Sequence, residues 1–222
     1  MVGTDRATPV RSARVDRTRR SILDAARRLF AQRGYAQTPV RMLAKEAGVA
    51  VRTVYLSFGS KQGVLMALVD FIGEDAGAIE TREAAVALVD GPEMGPEMGP
   101  KMIALVARLY RNLYERGSDV IDMVQQGAAV EPELRVALRH GHGNSRASIE
   151  ATCVRLSELS LLRSDLTVDE AAGHCLVLVS RDGYEEMVEL RNWSPDTYES
   201  WLRRALQAAV LRPGLVEPRE RA

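Results

Sequence analysis

Residues 38–58, which read TPVRMLAKEAGVAVRTVYLSF, are the part of the chain that most restricts its fold. Thr38 can cap the start of a helix, and Pro39 suits the first helical position. Apolar residues then recur at helical spacing, at Val40, Leu43, Ala44 and Ala47. Gly48 can adopt the positive φ of a tight turn. A second short helix follows and carries Val51, Val54, Tyr55 and Phe58.

The spacing within this segment is that of a helix-turn-helix. Two helices that cross closely need a small residue at their contact, and Ala44 supplies it. Gly48 lies four residues after Ala44, and the apolar Val54 lies six residues after Gly48. In a helix-turn-helix the second helix is presented to the major groove of DNA, and here it comprises residues 51–57. The alternative is an ordinary corner between two helices of a helical protein.

Charge is divided unevenly along the chain. The formal net charge of the 222 residues is zero, but residues 1–63 contain 13 Lys and Arg against 4 Asp and Glu. The remaining residues contain 17 Lys and Arg against 26 Asp and Glu. A basic first quarter on an acidic remainder indicates a nucleic-acid-binding domain attached to a body that avoids nucleic acid. The charge therefore favours DNA binding over a simple helical corner.

The whole sequence predicts helices and no strands, so the expected fold class is all-α. A first helix begins near Asp16 or Thr18 and ends at Gly34, and Ser60 caps a helix from Lys61 to about 72. One further helix is predicted to end near Val89, and another to run from near Pro100 to Gly117. The remaining helices are predicted at about 119–127, 131–140, 145–162, 168–190 and 196–212. Asn144 or Ser145 could cap the helix at 145–162, and Ser194, Pro195 and Asp196 mark the start of the last one. Residues 91–102, a GPEM-type repeat, predict an exposed loop, and the sequence assigns it no role.

No motif indicates catalysis, a cofactor or a metal. His140 and His142 lie two residues apart among glycines that suggest a loop, so solvated histidines are favoured over a metal site. Cys153 and Cys175 lie in helical patterns without CxxC spacing, which predicts two buried, reduced thiols. No apolar run approaches the ~20 residues of a membrane span, and the N-terminus lacks the apolar run of a secretion signal. We expect no cofactor, no metal, no catalytic residue and no membrane partner.

Residues 17–72 closely resemble the DNA-binding domain of the tetracycline-repressor (TetR) family. The similar segments are ILDAARRLFAQRGY, VRMLAKEAGV and TVYLSFGSK. The remainder fits by helix count, helix order and the WSPDTYESWL start of the last helix. Some positions depart from the family pattern: Ala50 stands where a capping Ser or Thr is usual, Met42 where an acid is common, and Gln62 and Gly63 where Glu and Ala are usual.

The resemblance implies an all-helical homodimer whose ligand-binding body controls its DNA-binding heads. With it, the expected architecture is an N-terminal three-helix helix-turn-helix domain plus a helical ligand-binding and dimerisation domain. We assign a disordered basic arm to residues 1–15 and the helix-turn-helix domain to 16–62. Residues 63–212 form the effector-binding and dimerisation domain, and 213–222 form a flexible tail.

Candidate DNA contacts follow from the resemblance and from side-chain chemistry. The resemblance implies that Thr53, Tyr55 and Lys61 contact phosphates, as suits a hydroxyl and a cation at a helix start. Arg52 is the candidate for base recognition, because a guanidinium can donate two parallel hydrogen bonds to guanine, although another phosphate contact is equally open. The remaining candidates are Val51 and Leu56 for thymine methyl groups, with a sugar contact open for Leu56, and Arg41 for a backbone phosphate.

Two further sets of candidates concern the body. Apolar stripes on the last two helices suggest a four-helix dimer interface, although such stripes are most often ordinary core. The interface candidates are Cys175, Leu176, Val179, Tyr198, Trp201, Leu202, Ala205, Leu206 and Ala209. By analogy with the family, a small apolar effector would contact core positions. The effector-site candidates are Met102, Leu105, Leu109, Tyr110, Met123, Ile149 and Cys153.

The sequence therefore predicts a sequence-specific transcriptional regulator, with a repressor released by a small apolar ligand favoured. Its partners are double-stranded DNA with a palindromic operator, a second copy of the chain and an effector of unknown identity. We expect a bacterial cytoplasmic protein that lies on the nucleoid when bound. The alternatives are an effector-independent DNA-organising protein, or an all-helical enzyme with a relic helix-turn-helix. The operator, the regulated genes and the choice between repression and activation stay open.

Overall fold

A computed structural model of the chain describes residues 9–77, 80 and 95–215. In these residues the secondary structure is helical, apart from an isolated antiparallel bridge between Leu162 and Leu211. The predicted all-α class is confirmed. The chain divides into two compact units. Unit 1 comprises Met1–Phe71 and Asp119–Arg139, and unit 2 comprises Ile72–Ser118 and His140–Ala222.

The first helix, α1, covers Pro9–Arg33 and begins earlier than the predicted start near Asp16 or Thr18. Residues 9–15 are therefore helical rather than part of a disordered arm, whereas residues 1–8 lie outside the described part of the chain. The physical reason is that Pro9 is suited to a first helical turn and no glycine or proline follows it before Gly34. The predicted end is confirmed, because Gly34 has a φ of 78°.

The next two helices, α2 over Val40–Glu46 and α3 over Val51–Phe58, form the predicted pair. Gly48 has the expected positive φ, 69°. Ala44 and Val54 are fully buried, as a close helix crossing requires. The α1 side chain of Ser21 supports the turn by donating to the carbonyl oxygen of Ala47 at 3.1 Å.

The start of α2 differs from the prediction. Pro39 is the N-cap residue, and no side chain caps the helix. The hydroxyl of Thr38 is turned to the preceding segment instead, where it donates to the carbonyl oxygen of Gly34 at 2.9 Å. Thr38 is fully buried, and this bond satisfies a polar group that burial would otherwise penalise. Thr38 therefore ties the end of α1 to the start of α2.

Helix α4 covers Lys61–Asp75, slightly longer than predicted. The predicted cap is present, because the Gly63 N–H donates to the hydroxyl of Ser60 at 2.9 Å. Gly63 also approaches the end of α3: a Cβ built at this position would lie 1.9 Å from the carbonyl oxygen of Phe58. The absence of a side chain therefore allows the two backbones to come this close.

Helix α5 covers Met98–Gly127, where the sequence predicted two helices separated at Gly117. Gly117 lies inside the helix, and a Cβ there would be 3.2 Å from the Ile72 side chain. Helix α6 covers Pro132–Glu158 and likewise joins the two helices predicted at 131–140 and 145–162. His140 and His142 are therefore helical, and Asn144 and Ser145 cap no helix. A glycine costs a helix only about 1 kcal/mol, which packing can outweigh.

Unit 2 also contains the last helices. Helix α7 covers Val168–Leu178 and begins with a capping box between Thr167 and Glu170. A single helix was predicted over 168–190, but the chain breaks after α7 and continues as α8, Arg181–Tyr184, and a π-helical turn, Glu185–Leu190. Ser180 explains the break, because its hydroxyl caps α8. Helix α9 covers Pro195–Val210 with Ser194 as its cap, as predicted apart from its end.

Aromatic side chains form much of the core of unit 2. Tyr114, Tyr184 and Tyr198 are buried and in ring contact, with centroids 5.4 and 5.0 Å apart. The Tyr114 hydroxyl donates to the carbonyl oxygen of Val179, so its polar end is satisfied. Burial, followed by Tyr110 and Tyr198, raises the pKa of Tyr114 well above its ordinary value. These contacts join α5, α8 and α9 around one core.

Some predictions fall on residues that the structure does not describe. They are the helix ending near Val89, the first four residues of the repeat at 91–102 and most of the tail at 213–222. The functional division at residues 15, 62 and 212 stays a prediction. In the described ranges, none of the helices combines the length and apolarity that crossing a bilayer demands.

Two glycines of α4 provide a matched test of the close approach at Gly63. G63A should lower the free energy of unfolding by about 1–3 kcal/mol, because its new methyl group meets backbone. G73A should raise it by about 0.5–1 kcal/mol, because no atom lies within 4 Å of the added Cβ. Urea unfolding followed by circular dichroism measures both. Equal effects of the two substitutions would show that the contact at Phe58 does not restrict residue 63.

Candidate nucleic-acid interface

The exposed side of α3 contains most of the candidate DNA contacts. Val51, Tyr55 and Leu56 are 40, 49 and 76% exposed, which is unusual for large apolar side chains. Arg52 is exposed on the same side of the helix, since residues at i, i+1, i+4 and i+5 share a face. Val54 is fully buried on the opposite side. The helix therefore packs through one face and presents a mixed basic and apolar face to solvent.

The end of α3 is fixed by an α1 residue that sequence analysis did not connect with it. Arg19 donates to the carbonyl oxygen of Ser57 at 3.0 Å. Its guanidinium also lies 4.4 Å from the centre of the Phe58 ring. A cation at the end of a helix satisfies its last carbonyl groups and complements the helix dipole. The i-to-i+38 separation leaves no local sequence signal for this contact.

The start of α3 has no side-chain cap, as the departure at Ala50 predicted. Ala50 is the N-cap residue with φ −70° and ψ 146°, and it offers only backbone to the first turn. Unpaired N–H groups at a helix start carry partial positive charge and attract anions. The exposed face of α3 and its first turn thus both suit a phosphate backbone.

Lys61 is held by Tyr35, a residue that the sequence analysis did not single out. Its ammonium donates to the carbonyl oxygen of Tyr35 at 3.0 Å and lies 4.0 Å from the centre of the Tyr35 ring. Tyr35 is buried, and burial followed by the charges of Glu133 and Glu131 raises its pKa to about 12. The ring is therefore neutral at physiological pH, and the ammonium has further N–H donors for another partner.

Three further arginines of the domain differ in their partners. Arg41 is exposed on α2, as a phosphate contact requires. Arg28 bonds Glu46 at 3.2 Å, and Arg27 bonds both oxygens of Asp119 at 2.7 and 2.6 Å. Such solvent-exposed pairs contribute little to stability, but they leave less charge for a ligand.

The effector-site candidates are mostly core residues. Six belong to unit 2, where Met102, Tyr110, Ile149 and Cys153 are buried and Leu105 and Leu109 are half-buried. Met123 belongs to unit 1 and is half-buried. The two thiols are buried and reduced, as predicted, and the hydrogen bond from Cys175 to Cys153, together with burial, raises the pKa of Cys175.

The interface candidates need a correction. Five of them are at most 3% exposed within a single chain and so have no surface to offer a second copy: Cys175, Val179, Tyr198, Leu202 and Leu206. The periodic stripe was real, but it packs into the chain's own core. Leu176, Trp201, Ala205 and Ala209 are partly exposed and remain candidates. Val177, which lies off that stripe, is 75% exposed on α7.

Within residues 9–77, 80 and 95–215, no three His, Cys, Asp or Glu side chains come together in a way that could hold an ion. His140 lies near Asn144 instead, with 3.4 Å between their side-chain nitrogens.

The short exposed α3, its buried crossing with α2 and the basic surface around it define a helix-turn-helix protein. Comparison with known proteins identifies the family of this domain. Residues 22–68 match the family model described as bacterial regulatory proteins, tetR family. The resemblance of the DNA-binding domain to the TetR family is therefore confirmed over these residues.

Individual relatives cover different parts of the chain. The fatty acid metabolism regulator protein of Bacillus subtilis is 33% identical over 96 residues, which are 40% of this chain. The chain spans half the length of that relative. SmeT is the Stenotrophomonas maltophilia repressor of a multidrug efflux pump, and one of its structures contains triclosan. This chain matches that structure with a TM-score of 0.70 at 22% identity, and the match covers 91% of this chain and 95% of SmeT.

A regulator from Saccharomonospora viridis in complex with choline has a TM-score of 0.61 at 20% identity, covering 87% of this chain and 97% of that one. At these identities the two structural likenesses establish the fold alone.

Supplying the missing cap tests the description of α3. A50S should raise the free energy of unfolding by about 0.5–2 kcal/mol, because its hydroxyl can accept from the N–H groups of the first turn. A36S provides the control, since Ala36 is exposed in a turn and starts no helix. It should change stability by less than about 0.5 kcal/mol. Thermal unfolding of the three proteins measures the effect, and no gain for A50S would mean that the first turn is already satisfied.

Proposed function

We propose that the protein is a transcriptional repressor that binds a palindromic operator as a homodimer and is released by a small, largely apolar ligand. The observation that carries the proposal is the exposed face of α3, where Arg52 lies beside the exposed side chains of Val51, Tyr55 and Leu56. A solvated helix of this length has no structural need for three large apolar side chains on its surface. They are useful where base edges, sugars and thymine methyl groups replace water.

The proposal divides recognition between two kinds of contact. Arg52 reads a base, with Val51 and Leu56 against thymine methyl groups or sugar. Arg41, Thr53, Tyr55 and Lys61 bind phosphates and set the position of α3 in the groove. The Lys61 ammonium is held at Tyr35, next to the start of α4, and uses its other donors for the backbone. Affinity for DNA of any sequence then depends on the phosphate contacts, and discrimination between DNA sequences depends on Arg52.

A dimer supplies the second half of the recognition. One short α3 helix contacts only a few base pairs, so two copies on a two-fold axis are needed for a long, palindromic site. The exposed apolar residues of α7 and the partly exposed ones of α9 support this interface, with Val177 and Trp201 as examples. Cys175 and the other fully buried candidates contribute to it indirectly, by fixing the two helices.

The relatives suggest the kind of effector. Triclosan and choline are the molecules in the structures of two proteins with this fold, and both are small. We place an apolar effector in unit 2, against the six candidate side chains that belong to this unit, and its preference for one body conformation would change operator affinity. As a DNA-bound regulator the protein would act in the cytoplasm. An enzyme with a relic helix-turn-helix is the competing function, and no observation favours it.

Selection of bound fragments from genomic DNA tests the function directly. The full-length protein should retain a small set of fragments that share a palindrome, and titration with small apolar compounds should release them. A DNA-organising protein would retain fragments without a shared sequence and would ignore every compound.

Variants test the division of labour on the selected operator. R52A should cost about 1–3 kcal/mol and relax discrimination at one base position in each half-site. K61A should weaken binding to all sequences similarly and reduce the salt dependence. R204A removes an exposed charge from α9 and should change neither. Fluorescence anisotropy at several salt concentrations measures all three, and uniform losses for both R52A and K61A would contradict the assignment.

The dimer surface has a matched pair of test positions. Val177 on α7 and Val130, between α5 and α6, are 75 and 78% exposed. V177D should convert the dimer to monomers, because it places two carboxylates at a two-fold interface, whereas V130D should leave the dimer intact. Sedimentation velocity at micromolar concentration measures both. A protein that is monomeric before substitution would refute the dimer altogether.

A further inference from the structure

The two cysteines of the chain meet in unit 2, and the proposed function leaves their thiol chemistry unused. Cys153 belongs to α6 and Cys175 to α7. Their side chains are hydrogen bonded to each other, so the two sulfur atoms are in contact. Both thiols are reduced, and they are 0 and 2% exposed. The core of unit 2 therefore contains a dithiol whose sulfur atoms are already adjacent.

A second contact between α6 and α7 has the same register. Arg146 on α6 lies 3.8 Å from Asp169 on α7. Cys153 comes seven residues after Arg146, and Cys175 comes six residues after Asp169. Six or seven residues are close to two turns of an α-helix, or about 10 Å. The two helices therefore run side by side in the same direction here, and this arrangement of the backbone is what places one thiol opposite the other.

The contact makes the two thiols unequal. The hydrogen bond that Cys175 donates lowers the pKa of Cys153, although burial acts in the opposite direction. The same contact, followed by burial, raises the pKa of Cys175. The thiolate is the reactive form of a cysteine, so Cys153 is the better nucleophile and Cys175 keeps its proton. Disulfide formation between neighbouring thiols uses this division into an attacking and a resolving cysteine.

We propose that Cys153 and Cys175 form a redox-active pair, which a small hydroperoxide converts into a disulfide between α6 and α7. The Cys153 thiolate attacks one oxygen of the peroxide and the O–O bond breaks. Cys153 becomes a sulfenic acid, and the other oxygen takes up a proton and leaves as water, or as an alcohol from an organic peroxide. The Cys175 sulfur then attacks the Cys153 sulfur, so that the S–S bond forms, the S–O bond breaks and the hydroxyl leaves with the Cys175 proton as water. In total, the thiols give two electrons to the peroxide.

Burial determines which oxidants can react. A molecule as small and uncharged as hydrogen peroxide can enter a packed core when it opens slightly, whereas a bulky, charged disulfide cannot. The new bond would link α7, which carries Val177 of the proposed dimer surface, directly to α6. Its formation needs neither DNA nor a second copy of the chain, so this proposal can fail while the proposed function stands, and the reverse.

Intact-mass measurement of the full-length protein after treatment with hydrogen peroxide tests the pair. Native protein should lose the mass of two hydrogen atoms, together with both thiols that N-ethylmaleimide labels after unfolding, and dithiothreitol should restore them. The reaction should be at least about threefold slower in urea, because unfolding separates the two sulfur atoms. Thiols that the fold only protects give the opposite order, since unfolding exposes them. Absence of the disulfide at millimolar peroxide, a bond between two chains, or a faster reaction in urea would overturn the proposal.

C175S and C153S form a matched pair that tests the two roles. Each leaves one thiol, so oxidation stops at the sulfenic acid, which dimedone captures. C175S keeps a hydroxyl donor beside Cys153 and should give about tenfold more adduct than C153S, whose remaining thiol keeps its proton. Circular dichroism establishes that each variant is folded; if either is not, the comparison of native and urea-treated parent protein decides alone. Equal adducts in two folded variants would contradict the assignment of Cys153 as the attacking thiol.

Discussion

The burial of Val54 against the rest of the domain is the contact on which the DNA-binding surface depends. An eight-residue helix is too short to be stable in water by itself, so α3 exists only because its inner face is packed. Ala44 and Gly48 allow α2 to cross close enough to cover it, and Arg19 holds its far end. Folding of α3 depends on its inner face, so the side chains of the exposed face are available for recognition.

Features that depend on local chain geometry could be predicted from the sequence. Gly34 and Gly48 end their elements with positive φ, and Ser60 and Ser194 cap their helices. The exposed residues of α3 were also predicted, because the helix-turn-helix spacing determines which face is buried. In each case a few neighbouring residues decide the backbone conformation, and the rest of the protein only has to permit it.

Features that depend on distant contacts could not be predicted. Gly117 looked like a helix end, yet packing against Ile72 keeps the helix continuous. Thr38 looked like a cap, but a buried hydroxyl is better satisfied by the carbonyl group of Gly34. The stripe on α9 was compatible with a dimer interface or with the chain's own core, because periodicity reports burial and not what causes it. The same limit applies to Tyr35, whose contact with Lys61 spans 26 residues and has no periodic signal.

The contact between Lys61 and Tyr35 has a thermodynamic consequence. A lysine side chain usually loses rotamer entropy worth up to about 2 kcal/mol when it becomes fixed. Here much of that loss has already occurred during folding, since the ammonium rests against a ring and a carbonyl oxygen. A polyanion approaching the start of α4 therefore meets a cation in a fixed place. The free energy of its contact with Lys61 then depends mainly on the exchange of hydrogen-bond partners. The entropy lost by ordering the lysine side chain contributes little to it.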